Sequence, residues 1–138
     1  MTGASTPVWL SADGIQVNVT AILTLDQVRD VAQALSPNTP SNVSIFAGRI
    51  ADTGRDPVPM ISEARALLAD KPLAEIIWAS PREVLNIWHA DSVGCHIITV
   101  TADLLGKLAF WGKSLGAYSL DTVRMFHDDA QKAGYTVG

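Results

Sequence analysis

Asn18 and Thr20 stand two residues apart inside an apolar, β-branched run, Ile15-Gln16-Val17-Asn18-Val19-Thr20. In a strand that spacing puts both side chains on one face. Ser44 and Phe46 share a face of a second run, Asn42–Ala47, and Arg49 follows just beyond it. Arg82 stands just beyond a third run, Glu75–Ala79. Arginine offers a planar fork of donors that fits a phosphate, and a helix N-terminus adds amide donors. Two arginines beyond strand ends are therefore candidates for an anion site. The plainer alternative is that Asn18, Thr20 and Ser44 satisfy backbone groups while the arginines pair with Asp52 or Asp56.

The elements that must hold these residues can be read from the pattern. Each of four apolar runs is followed by helical spacing. After the first, Leu25, Val28, Val31, Ala32 and Leu35 share one helical face, Thr24 and Gln27 form a capping box, and Pro37 ends the helix. After the second, Gly48–Pro57 reads as a loop, and a helix is expected from about Pro59 to Ala69. After the third, Ser80-Pro81-Arg82-Glu83 reads as a helix start: Ser80 caps, Pro81 takes the first turn and Glu83 reaches back. The fourth run is His96–Val100, with Thr101 capping a short helix through Leu108. A loop over Phe110–Tyr118 should precede a last helix opened by Ser119 and closed by Gly134.

Strand then helix, four times, predicts an α/β fold with a parallel sheet. Right-handed crossovers that always step to the next strand put every helix on one face of it. A closed (β/α) barrel needs about 200–250 residues, and the chain has 138. The expected architecture is half of a TIM-type barrel, four strand–helix units plus a C-terminal helix, whose inner wall another chain completes. A sheet whose strand order doubles back is the alternative. Residues 1–10 are expected to be a poorly ordered segment and 11–138 a single domain.

Composition narrows the function. Ten Lys+Arg against fourteen Asp+Glu give a nucleic-acid surface no electrostatic source. No stretch is long and apolar enough for a membrane span, and no secretion signal is read at the N-terminus. A cytoplasmic protein is expected. The lone Cys95 excludes an internal disulfide and reads as a small core residue. His89, His96 and His127 lack ligand spacing, so no metal or other cofactor is assigned. Two glycosylation-like sequons, at Asn18 and Asn42, fall in strands expected to be buried. Trp78, Leu85, Ile87 and Trp88 read as core and interface packing, and Trp9, Phe110 and Trp111 as a contact with another subunit.

Four segments in order carry a resemblance. Val17–Gln27 resembles the Asn-x-Thr strand and helix of transaldolases, and Val43-Ser44-Ile45-Phe46-Ala47-Gly48-Arg49-Ile50 their next strand. Ala79-Ser80-Pro81-Arg82 and Gly94–Thr101 are similar to the two that follow. The likeness runs from about Ser11 to Gly138 and is nearest to short bacterial transaldolase-like and fructose-6-phosphate aldolase-like proteins. It implies strands five to eight of the family barrel and a role in sugar-phosphate (pentose phosphate) metabolism. Asn18 would then position substrate and Thr20 hold the catalytic water. Ser44 would contact a sugar hydroxyl, Phe46 would wall the site, and Arg49 and Arg82 would bind phosphate. In the family a lysine on strand four forms a Schiff base with a ketose phosphate, and an Asp and a Glu on strands one and three manage protons. Those strands are missing from the pattern here. The Thr6–Trp9 stretch also departs from it, which points to a start site or a truncation inside a longer frame.

None of Lys71, Lys107, Lys113 and Lys132 falls in an apolar run, where desolvation would favour a neutral, nucleophilic amine. Two readings follow. In one the chain is half of an enzyme, its site completed by a complementary N-terminal half-barrel. In the other it is a catalytically silent half-barrel that binds sugar phosphate or forms a homo-oligomer. The resemblance further implies ring assembly through exchange of C-terminal helices.

Overall fold

The computed structural model describes residues 10–134. The four runs become strands β1 (Val17–Ile22), β2 (Ser41–Ile45), β3 (Ala74–Trp78) and β4 (Ile97–Ile98). They form one parallel sheet in the order β1-β2-β3-β4. The helices are α1 (Leu25–Ala34), α2 (Ala47–Asp52), α3 (Pro57–Leu67), α4 (Leu85–Ser92), α5 (Ala102–Lys107) and α6 (Leu115–Lys132), with a 3-10 turn at Leu108–Phe110. This is the α/β strand–helix alternation of a partial TIM-type barrel; the strand order does not double back. The described residues divide into two compact units, one ending at Gly106 and the other beginning at Lys107.

The core of the first unit lies on one side of the sheet. Val43, Ile45, Ile76 and Trp78 are buried there with Val28, Val31 and Leu35 around α1, Ile50 of α2, Ile61, Ala64 and Leu68 around α3, and Ala90 of α4. Alternation sends their strand neighbours to the other side. The register places Asn18, Asn42 and Glu75 in one row there and Ser44 beside Ile77 in another. The face turned from the helices is thus polar on β1 and β2, where Asn18, Thr20 and Ser44 interrupt the apolar runs. Its apolar members are Ile77 and Ile97.

Capping behaves as the sequence dictates at α1. Thr24 Oγ1 accepts from the Gln27 amide (3.2 Å), and Gln27 Oε1 accepts from the Thr24 amide (3.0 Å). Thr24→Ala should lower stability to urea by about 1 kcal/mol, the usual cost of losing such a cap. An unchanged midpoint would show that the box does not anchor α1. Thr101 likewise accepts from the Leu104 amide ahead of α5, and Gly134 closes the last helix at φ +80°.

Several expected boundaries move. The Leu10 carbonyl accepts from the Ile15 amide, which holds Ile15 in the turn around Gly14 and leaves it exposed, so β1 starts at Val17. At the other end Ala21, at φ 60°, forms a bulge that turns Ile22 into the core. The fourth strand shrinks to Ile97–Ile98. Part of the expected Gly48–Pro57 loop is α2, because Ile50 is drawn into the core. The Ser80 cap is overturned: Ser80 adopts φ 61° and α4 begins only at Leu85. Asn86 Oδ1 accepts from both the Arg82 and Glu83 amides and does the satisfying instead (2.7 and 2.9 Å).

The second unit differs at its start. Its helix opens at Ser114, not Ser119, with Ser114 Oγ accepting from the Ala117 amide. Phe110 and Tyr118 meet edge to face at 5.3 Å with Lys113 over both rings, so the expected loop is structured by aromatic contact. Trp78 is core, whereas Trp88 and Leu85 are more than half exposed. Trp9 and most of the 1–10 segment lie outside the described residues.

Candidate functional site

The carboxyl end of a parallel sheet is where loops leave the strands and where ligands of such folds are bound. Five of the six candidate residues gather toward that end. Thr20 precedes the β1 bulge, and Ser44 is the fourth residue of β2. Phe46 joins β2 to α2, its amide bonded to the Ile22 carbonyl at 2.9 Å. Arg49 lies on α2, and Arg82 in the loop after β3. Asn18 sits lower on β1, two residues before Thr20 and on its face. Asn18 and Thr20 are exposed, Ser44 is buried and Phe46 half-buried.

The two arginines part company. Arg82 Nη2 is paired with Asp52 Oδ2 at 2.8 Å, the structural role that the plainer alternative offers. Arg49 is exposed and has no ion pair among the described residues. Of the two, Arg49 is the guanidinium whose fork is not committed to a carboxylate.

A cleft of about 330 Å³ lies beside this edge, lined by Gly48, Arg55, Asp56, Trp78, Arg82 and His89 among others. It is not formed by Asn18, Thr20, Ser44 or Arg49. Trp78 belongs to the helix-side core, so Arg82 reaches the helix side of the edge while Asn18 and Thr20 face the other way. The Trp78 indole N–H and His89 Nδ1 are buried without a hydrogen-bond partner among the described residues, and their rings stack at 6.1 Å. Nothing in the sequence signals this pair. Trp78 reads as core, and His89 becomes its neighbour only when α4 folds back on β3.

Gly48 explains how the edge is held. Its amide donates to the Ala79 carbonyl, and a Cβ on it would meet the Ser80 carbonyl oxygen at 1.6 Å. The start of α2 therefore lies directly on the end of β3, which fixes Arg49 relative to the Ser80–Arg82 loop.

The lysines and the cysteine lie elsewhere. Lys71 Nζ donates to the Leu35 carbonyl at 2.6 Å, and Lys113 pairs with Asp121 in the second unit. Lys107 and Lys132 are exposed near helix ends. Burial pushes the Cys95 thiol up to about 11, only partly offset by Arg65, so at neutral pH it is a thiol and not a nucleophilic thiolate. Among the described residues no cluster of three or more His, Cys, Asp or Glu could hold a metal, and no helix is long and apolar enough to cross a membrane.

Residues 3–137 match the Transaldolase/Fructose-6-phosphate aldolase family model. The chain is 37% identical over 100 residues to a probable transaldolase 2 of Listeria monocytogenes, covering 72% of this chain and 44% of that protein. Probable transaldolases of Methanococcus maripaludis and Streptococcus equi are each 35% identical over 100 residues, with 72% and 45% covered. The chain spans less than half the length of these relatives. With its parallel strand–helix units and a family match running nearly end to end, the chain belongs to the transaldolase/fructose-6-phosphate aldolase family.

Proposed function

We propose that this chain is the sugar-phosphate-binding half of a transaldolase-type barrel, the half without the imine-forming lysine. The observation that carries this reading is the gathering of Thr20, Ser44, Phe46 and Arg49 toward the carboxyl end of one parallel sheet. A ketose phosphate has a dianion at one end and hydroxyls along its length. Arg49 supplies an uncommitted fork for the dianion. Ser44 addresses a hydroxyl, Asn18 positions the substrate, Thr20 holds a water, and Phe46 walls the site. Arg82 contributes to phosphate binding only by leaving Asp52, so its share is the smaller one.

Aldol transfer or cleavage through a lysine imine then requires a complementary half that brings the amine. That all four lysines lie off the strands favours the second reading, a silent half-barrel, wherever the chain is by itself. The apolar side chains that α6 leaves exposed, Leu120, Val123 and Phe126 among them, support assembly with further copies.

Calorimetric titration with fructose 6-phosphate tests the reading. Arg49→Ala should weaken binding by roughly 1.5–3 kcal/mol, the range for hydrogen bonds to charged groups. Thr20→Val should leave the phosphate-dependent part intact. Equal affinity of Arg49→Ala and parent would remove Arg49 from the site, and equal affinity for fructose and its phosphate would remove phosphate recognition from the chain.

A further inference from the structure

The row Asn18–Asn42–Glu75 sits near the amino end of the sheet, on the face turned from the helices. Asn18 and Glu75 are exposed and Asn42 is half-buried. In the register, the side chains of β1–β4 on that face are Asn18, Thr20, Asn42, Ser44, Glu75, Ile77 and Ile97. They include one carboxylate and no cation. Glu75 forms no salt bridge or side-chain hydrogen bond among the described residues. Among the described residues, β1 and β4 each also leave an edge without a strand partner.

A covering layer on this face takes Glu75 out of water. A carboxylate so covered is costly unless it gains a cation or several donors. A second copy of this chain closing an eight-stranded barrel brings a second Glu75 and again no cation. Its inner wall would then hold two carboxylates with neutral donors, the asparagine amides of their own row and the Thr20 and Ser44 hydroxyls, but no opposite charge. The relatives point to a different occupant, since more than half of their length lies outside the match. We propose that the sheet face is built for a complementary four-stranded β/α half that presents a Lys or Arg side chain to the Asn18–Asn42–Glu75 row, and that Glu75 selects this partner over a second copy. This inference rests on the reading that a complementary half completes the site, and it adds the chemistry by which that half is recognised.

The full chain can be tested by co-expression with the remainder of the Listeria monocytogenes relative, the part outside its 100 matched residues. Light scattering of the purified mixture should show a one-to-one particle. Glu75→Gln should weaken that association about tenfold and Glu75→Lys more strongly, with the circular dichroism of the free variants unchanged because Glu75 is exposed. A one-to-one particle formed equally well by Glu75→Gln overturns the cation pairing while leaving the complementary half intact. Failure of any one-to-one particle to form overturns the complementary half itself. A closed pair of identical chains, formed by parent and Glu75→Lys alike, overturns the selection.

Discussion

Brief incubation of this chain with fructose 6-phosphate and borohydride should leave its intact mass unchanged. Imine capture needs an amine that loses its proton readily and meets the carbonyl in a dry, fixed geometry. A strand position inside a barrel provides both conditions, and no lysine occupies one. Lys71 is turned onto the Leu35 carbonyl at the far side of α1, and Lys113 is held between Asp121 and two aromatic rings. Lys107 and Lys132 stand in solvent. The expected result is therefore all-or-none: no adduct on the chain alone. Any single-site adduct mapped to one of these four lysines would make the chain a complete aldolase nucleophile and end the reading of an imine-deficient half.

Gly48→Ala should destabilise the fold by about 3 kcal/mol or more, at the upper end of what overpacking costs. The added carbon would lie 1.6 Å from the Ser80 carbonyl oxygen and 2.7 Å from its carbon, both backbone atoms of the turn just after β3. Neither can swing aside as a flexible side chain would. α2 must lift from β3, which breaks the contact between the Gly48 amide and the Ala79 carbonyl and carries Arg49 away from the edge. Gly106→Ala on α5 is the control, because its Cβ meets nothing within 4 Å, so it should be neutral or stabilising by up to about 1 kcal/mol. Urea denaturation of both variants decides the matter. Equal midpoints would show that α2 does not rest on the strand end.

The local rules of the chain are legible without a structure because they are satisfied within a few residues. The Thr24–Gln27 box, the Thr101 cap, the Gly134 stop and the alternation in β1 each need only their own neighbours. From them follow the four strand–helix units and the half-barrel class, and four motifs in order carry the family. What sequence alone misplaces lies where two distant segments compete for the same atoms. Ser80 looks like an ideal cap, but its backbone is the surface on which Gly48 rests, so Asn86 takes over the amides that Ser80 would have held. Gly48 looks like loop for the same reason: its missing side chain signals a contact and not a bend.

The division is visible in the candidate site too. Residue type and spacing single out Asn18, Thr20, Ser44, Phe46, Arg49 and Arg82, and strand periodicity alone puts Asn18 and Thr20 on one face. Only the tertiary fold decides that Arg82 pairs with Asp52 while Arg49 forms no ion pair among the described residues, and that Trp78 meets His89. The physical reason is range. Capping and alternation are settled by atoms adjacent along the backbone, whereas the pairing of a guanidinium thirty positions from its carboxylate is settled by which strand ends the core brings together.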